Sequence, residues 1–127
     1  MQIVHAIASL DPDGGGPQAV VAALARTQMQ LGHAVQIVTQ PNGLAAYPEV
    51  LKGAIEAGEI RATALSAAPS VTDVVVGRRI PELTELVRNA DYLHLHGVWE
   101  TLLPAAAAAA RWLNLPYAVA PHGMLDI

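Results

Sequence analysis

The feature that most constrains this fold is a strand-loop-helix-strand pattern completed within the first forty residues. Residues 2–8 form a short apolar run with β-branched members, which reads as a buried strand. Residues 9–16, SLDPDGGG, are dense in turn formers. Pro17 stands where a helix tolerates proline best, at its first residue. From there Val20, Leu24 and Leu31 recur at helical spacing and are expected on the core side. Gly32 suits the position just past the helix end. Ala34–Thr39, AVQIVT, reads as a second strand. Two strands with a helix between them, this close together, are the unit of a parallel sheet.

The same alternation continues along the chain. Pro41-Asn42-Gly43 reads as a turn, and residues 48–57 as a short helix carrying Val50, Leu51 and Ile55. Residues 60–65 are expected to form a third strand. Residues 66–79 have no clean period and read as loop. Residues 81–89 predict a helix with Ile80, Leu83 and Val87 on one side, and residues 92–95 a fourth strand. An alanine-rich helix over 104–113 ends before Pro116, and Tyr117–Ala120 is the fifth strand. The expected architecture is α/β, a Rossmann-like doubly wound parallel sheet of about five strands. A helix is expected to cover the last strand, and the chain stops seven residues beyond it. Residues 1–127 therefore read as part of something longer, with an apolar strip exposed along the fifth strand and self-association of the isolated chain expected.

Composition removes several function classes. A hydrophobic content of 53% with a net charge of only −4 excludes disorder. No apolar run approaches the roughly 20 residues a bilayer requires, since the stretch 102–110 is interrupted by Pro104 and closed by Arg111. The N-terminus lacks the basic n-region of a secretory signal, so a cytoplasmic location is expected. With no cysteine, disulfides and thiolate chemistry are out. Seven basic residues and a pI near 5.6 argue against a nucleic-acid partner, and the adjacent pair Arg78-Arg79 reads as a solvated loop. Phenylalanine is absent and the bulk comes from Ala, Val, Leu and Ile, which suits strands buried beneath small-residue helices.

Three loops leave strand carboxyl ends, where open parallel sheets bind ligands. In the first, Gly14-Gly15-Gly16 precedes a helix whose N-terminal N–H groups face outward, a natural seat for phosphate or diphosphate; a flexible turn is the plainer reading. A G-x-G-x-x-A can be read at Gly14, Gly16 and Ala19, but no acidic residue closes the second strand, where Thr39 and Gln40 stand, and no Walker A follows. The second loop follows His94-Leu95-His96. Two histidines at i and i+2 share one face of a strand, which opens a metal reading with His122 as third ligand, although no carboxylate completes a shell. The alternative places His94 in strand packing and lets His96, Gly97, Trp99 and Glu100 line a cleft, with Trp99 as a surface for a sugar's apolar face. The third loop holds His122 between Pro121 and Gly123, either functional or a satisfied loop histidine.

Together, IVHAIASLDPDGGGPQ, DYLHLHGVWE and PYAVAPHGMLD resemble the N-terminal domain of family 4 glycosyltransferases of the GT-B fold. The resemblance covers nearly the whole chain and is weakest over residues 41–80. It implies a retaining transferase that moves a sugar from a nucleotide-sugar donor to a sugar or lipid-linked acceptor hydroxyl. It places the donor diphosphate at Gly14, Gly15 and Gly16, His122 beside the donor sugar as the catalytic residue, and His96, Gly97, Trp99 and Glu100 on the acceptor side. It implies no cofactor and no metal, front-face displacement without an enzyme nucleophile, and peripheral membrane association of the full enzyme. The family's second domain, with its basic pair and E-x7-E motif, is not in these residues, so the chain alone is expected to be inert. Two rival readings are a stand-alone nucleotide- or phosphate-binding module, and a metal-dependent hydrolase using His94, His96 and His122.

Overall fold

The computed structural model describes residues 1–14, 16–97 and 100–121. Five strands, β1 (Gln2–Ile7), β2 (Ala34–Thr39), β3 (Ile60–Ala64), β4 (Tyr92–His96) and β5 (Tyr117–Ala120), form one sheet in the order β3-β2-β1-β4-β5. Every pairing is parallel. Five helices connect them: α1 (Gly16–Gln30), α2 (Glu49–Glu56), α3 (Val71–Val76), α4 (Pro81–Val87) and α5 (Leu102–Trp112). This is the doubly wound Rossmann-like sheet expected from the sequence. Each strand lies within about two residues of its predicted bounds, which is ordinary disagreement at element ends.

Side chains alternate along each strand, so the sheet has two distinct faces. Val4, Ala6, Val38, Leu93 and Leu95 pack with Leu83 and Val87 of α4 and with Leu102, Leu103, Ala106 and Ala110 of α5. On the other face Ile7, Val35, Ile37 and Ile60 meet Val21, Ala22 and Ala25 of α1 and Leu51 of α2. Alanines supply much of the α1 and α5 contact, Ala22 and Ala25 on one face and Ala105, Ala106, Ala109 and Ala110 on the other. Their small side chains let the helix backbones settle close to the strands.

Two expectations are corrected. The core side of α1 is Val21, Ala22 and Ala25, whereas Val20 is 41% and Leu31 71% exposed, and Leu24 is half-buried. Close approach to the sheet favours the alanine stripe, which rotates the larger residues toward its margins. The second correction is α3, which forms inside the segment read as loop. Ser70 and Asp73 make a reciprocal capping box, and Gly77 ends the helix in the left-handed conformation. Arg78 pairs with Asp73 at 3.3 Å, and Arg79 lies over the Trp112 ring at 5.5 Å. The expected exposure at the fifth strand is present, at Tyr117 and Val119. Among the described residues no helix is long and apolar enough to cross a membrane.

Candidate functional site at the strand switch point

Strand order reverses between β1 and β4, and ligands in open α/β sheets bind outside the carboxyl ends at such a point. The loop after β1 is braced by short polar turns. Ser9 Oγ accepts from the Asp11 N–H at 3.1 Å, and Asp11 Oδ1 from the Asp13 N–H at 3.0 Å. Gln18, in the first turn of α1, reaches back and donates through Nε2 to the Ser9 carbonyl at 3.1 Å. A 3-10 turn over Pro12–Gly14 then leads to Gly16, the first residue of α1.

Gly16 has no structural need to be glycine. A Cβ built there meets nothing within 4 Å. Gly43 is the contrasting case: a Cβ would stand 2.5 Å from Thr39 Cβ and 2.6 Å from the Ala8 carbonyl oxygen. The turn holding Gly43 closes against the exit of β1, where the Leu10 N–H donates to the Gly43 carbonyl at 2.9 Å.

The β4 exit is held differently. Gly97 has φ +105°, and its N–H donates to the Ala120 carbonyl at 2.9 Å, tying the end of β4 to the end of β5. Glu100 is half-buried, and its Oε2 has no hydrogen-bond partner among the described residues. Gly15, Trp99 and His122, three further sites picked out from the sequence, lie outside the described residues.

His96 does not open onto the cleft as the sequence reading expects. Its side chain is 2% exposed and turned toward β1, because residues at even positions of β4 face α1. There it meets His5, whose Nδ1 lies 2.9 Å from His96 Nε2. The register pairs His5 with His94 and Ile7 with His96, which brings three imidazoles together. The His94 and His96 ring centroids are 4.0 Å apart, and His5 stands 5.5 Å and 5.1 Å from them. His94 and His96 do share a face, as the i, i+2 spacing expects. Their near neighbour in this cluster is His5, which sequence reasoning passed over as strand filling.

Gln28 of α1 sets the tautomer of His5. Its Oε1 can only accept, so His5 Nε2 is the protonated nitrogen, donating at 2.7 Å. His5 Nδ1 is then a lone pair, to which His96 Nε2 donates. Burial pushes the His5 pKa down to about 4; the Gln28 hydrogen bond opposes this and the charge of His94 adds to it. At neutral pH the ring is uncharged.

Fold and site together define an α/β domain of the kind found in GT-B proteins, with glycine-bearing loops leaving the strand ends on either side of the switch point. Residues 15–126 match the family described as glycosyl transferase 4-like domain, and the chain belongs to that family. Among solved structures it is similar to a glycosyltransferase from Rickettsia africae, at 16% identity and TM-score 0.61, over 93% of this chain and 28% of that one. It is also similar to a UDP-GlcNAc 2-epimerase from Neisseria meningitidis bound to UDP-GlcNAc, at 20% identity and TM-score 0.55, over 94% of this chain and 31% of that one. The chain thus spans less than a third of the length of either structure. No curated protein matches the sequence.

Proposed function

We propose that this chain is the acceptor-facing part of a glycosyltransferase that moves a sugar from a nucleotide-sugar donor to an acceptor hydroxyl with retention of configuration. The observation that carries the reading is the open backbone at Gly16, at the start of α1 and beside the switch point, in a chain of this family. Free N–H groups at a helix N-terminus, with no side chain in the way, suit a diphosphate. In this reading Gly14, Gly15 and Gly16 admit the donor diphosphate, and His122 orients the donor sugar. The UDP-GlcNAc held by the epimerase of the same fold supports a nucleotide sugar as the donor class.

Gly97, Trp99 and Glu100 border the acceptor, which is a sugar or a lipid-linked sugar. Glu100 Oε2, which has no hydrogen-bond partner among the described residues, would accept a hydrogen bond from the acceptor hydroxyl. His96, buried against His5, serves this side by positioning the β4 exit rather than by touching the acceptor. Transfer needs no metal, because N–H groups and the basic residues of a second domain stabilise the leaving diphosphate. Front-face displacement accounts for retention without an enzyme nucleophile. We place the full enzyme in the cytoplasm, peripherally associated with the membrane, and expect residues 1–127 alone to be inactive and prone to self-association.

The test is His122→Ala in the complete enzyme. Folding and affinity for the bare nucleoside diphosphate should stay near wild type, while kcat falls about a hundredfold, on the order of 3 kcal/mol of lost transition-state stabilisation. A variant with wild-type kcat would remove His122 from the chemistry.

A further inference from the structure

We propose that His5, His94 and His96 form a binding site for one divalent transition-metal ion of the zinc class, clamping β1 to β4 at the strand switch point. The ion takes no part in the transfer chemistry proposed above, and its binding does not rest on that reading. Each imidazole offers one ligand nitrogen, and the three nitrogens all lie within 4.8 Å of one another. Zinc–nitrogen bonds of about 2.0–2.1 Å in a tetrahedral site place ligand nitrogens roughly 3.4 Å apart. His5 Nδ1 and His96 Nε2 already stand at 2.9 Å, so these two need only to part slightly while the third ring swings in.

The surroundings prepare the ligands. Gln28 holds the proton of His5 on Nε2, leaving Nδ1 as a lone pair aimed at the cluster. This is the outer-sphere contact that fixes ring orientation and tautomer in histidine metal sites. The ion replaces the hydrogen bond between His96 Nε2 and His5 Nδ1, with the His96 proton carried on its Nδ1 instead. Three imidazoles without carboxylate or thiolate favour zinc, cobalt, nickel or copper over magnesium or calcium. His5 and His96 are buried and His94 is half-buried, so His94 marks the side from which an ion enters. The ligands come from strands 91 residues apart in sequence, and both strands lead directly into the loops of the proposed transfer site. An ion here acts by bracing those strands.

The experiment is zinc binding to the chelator-stripped 127-residue chain, read by equilibrium dialysis with elemental analysis and by the shift in Tm. Cobalt in its place should give the visible absorption of a tetrahedral nitrogen site. One ion per chain and a rise in Tm are expected. His94→Ala, at the half-buried position, should lower zinc affinity more than about tenfold with little change in metal-free Tm, and Gln28→Leu should lower it by about tenfold. His33→Ala tests the surface pair in which His33 Nδ1 lies 3.2 Å from the N-terminal amine, and should change nothing. Absence of stoichiometric zinc would overturn the proposal. So would binding that survives both His94→Ala and His5→Asn, or that is lost in His33→Ala or His122→Ala with the cluster intact.

Discussion

The two faces of this sheet use the same strands for different ends. Toward α4 and α5, strands β1 and β4 present Val4, Ala6, Leu93 and Leu95, which join one apolar cluster with Leu83, Val87, Leu102, Leu103, Ala106 and Ala110. Toward α1, the intervening positions present His5, His94 and His96, three neighbouring rings of which His5 is hydrogen-bonded to His96 and to Gln28. One face is a packing surface whose energy comes from area removed from water. The other places buried polar groups beside the switch point, where each ring must find partners because an unpaired buried donor or acceptor is expensive. The difference teaches where to look for chemistry in such a sheet: on the face where the alternation puts polar residues between apolar ones.

The largest effect should come from the apolar face. Leu95→Ala removes a fully buried side chain from the α5 side and should cost about 2–5 kcal/mol in denaturant unfolding. A loss under about 1 kcal/mol would mean that this face can collapse around the gap, and that the contrast between the faces is overstated.

Acid should act on the other face. His5 titrates near 4 in the folded protein and near 6.5 when unfolded, so below pH 6.5 the unfolded chain takes up a proton that the native state refuses. Its contribution is fully present above pH 6.5, falls as the pH drops toward 4, and levels off below that. For the metal-free chain the loss over this window should total about 3 kcal/mol, measured as unfolding free energy against pH. Leu95→Ala should keep that slope while His5→Asn flattens it. A slope unchanged by His5→Asn would assign the acid sensitivity elsewhere.

The two glycines sharpen the comparison at the site loops. Gly43→Ala forces a Cβ against the Thr39 side chain and the Ala8 carbonyl and should cost about 1–3 kcal/mol. Gly16→Ala enters open space, so the thermal midpoint should move by no more than about 0.5 kcal/mol equivalent. Yet nucleotide-sugar affinity of the complete enzyme should fall. A Gly16→Ala protein that unfolds early but binds donor normally would make the glycine loop a structural turn.

Much of this was readable in the residues. The β-branched runs of β1 and β2 and the alternation of Ile60, Ala62 and Ala64 in β3 announce strands because continuous or alternating apolar residues fit a buried sheet. The glycine loop and the residues after β4 are legible as candidate site segments because they sit at strand exits, with residue types a plain connector does not need. α3 escaped because its signal is local. The Ser70–Asp73 box and Gly77 define it, while Val71, Val75 and Val76 face outward and leave no core-facing period to detect. The face of α1 escaped because Val20 and Leu31 look more hydrophobic than Ala22 and Ala25, and periodicity alone does not weigh how near a helix can sit.

The sequence by itself determined the alternation of strands and helices, the parallel sheet that follows from it, and the loops that leave the carboxyl ends. These depend on short-range periodicity and turn chemistry, which are written within a few residues of where they act. Only the tertiary structure decided that His5 belongs with His94 and His96, and that His96 turns inward. That assembly depends on the register of β1 against β4, set by packing between segments some ninety residues apart. A shift of one residue in that register would send the imidazoles of β4 to the opposite face.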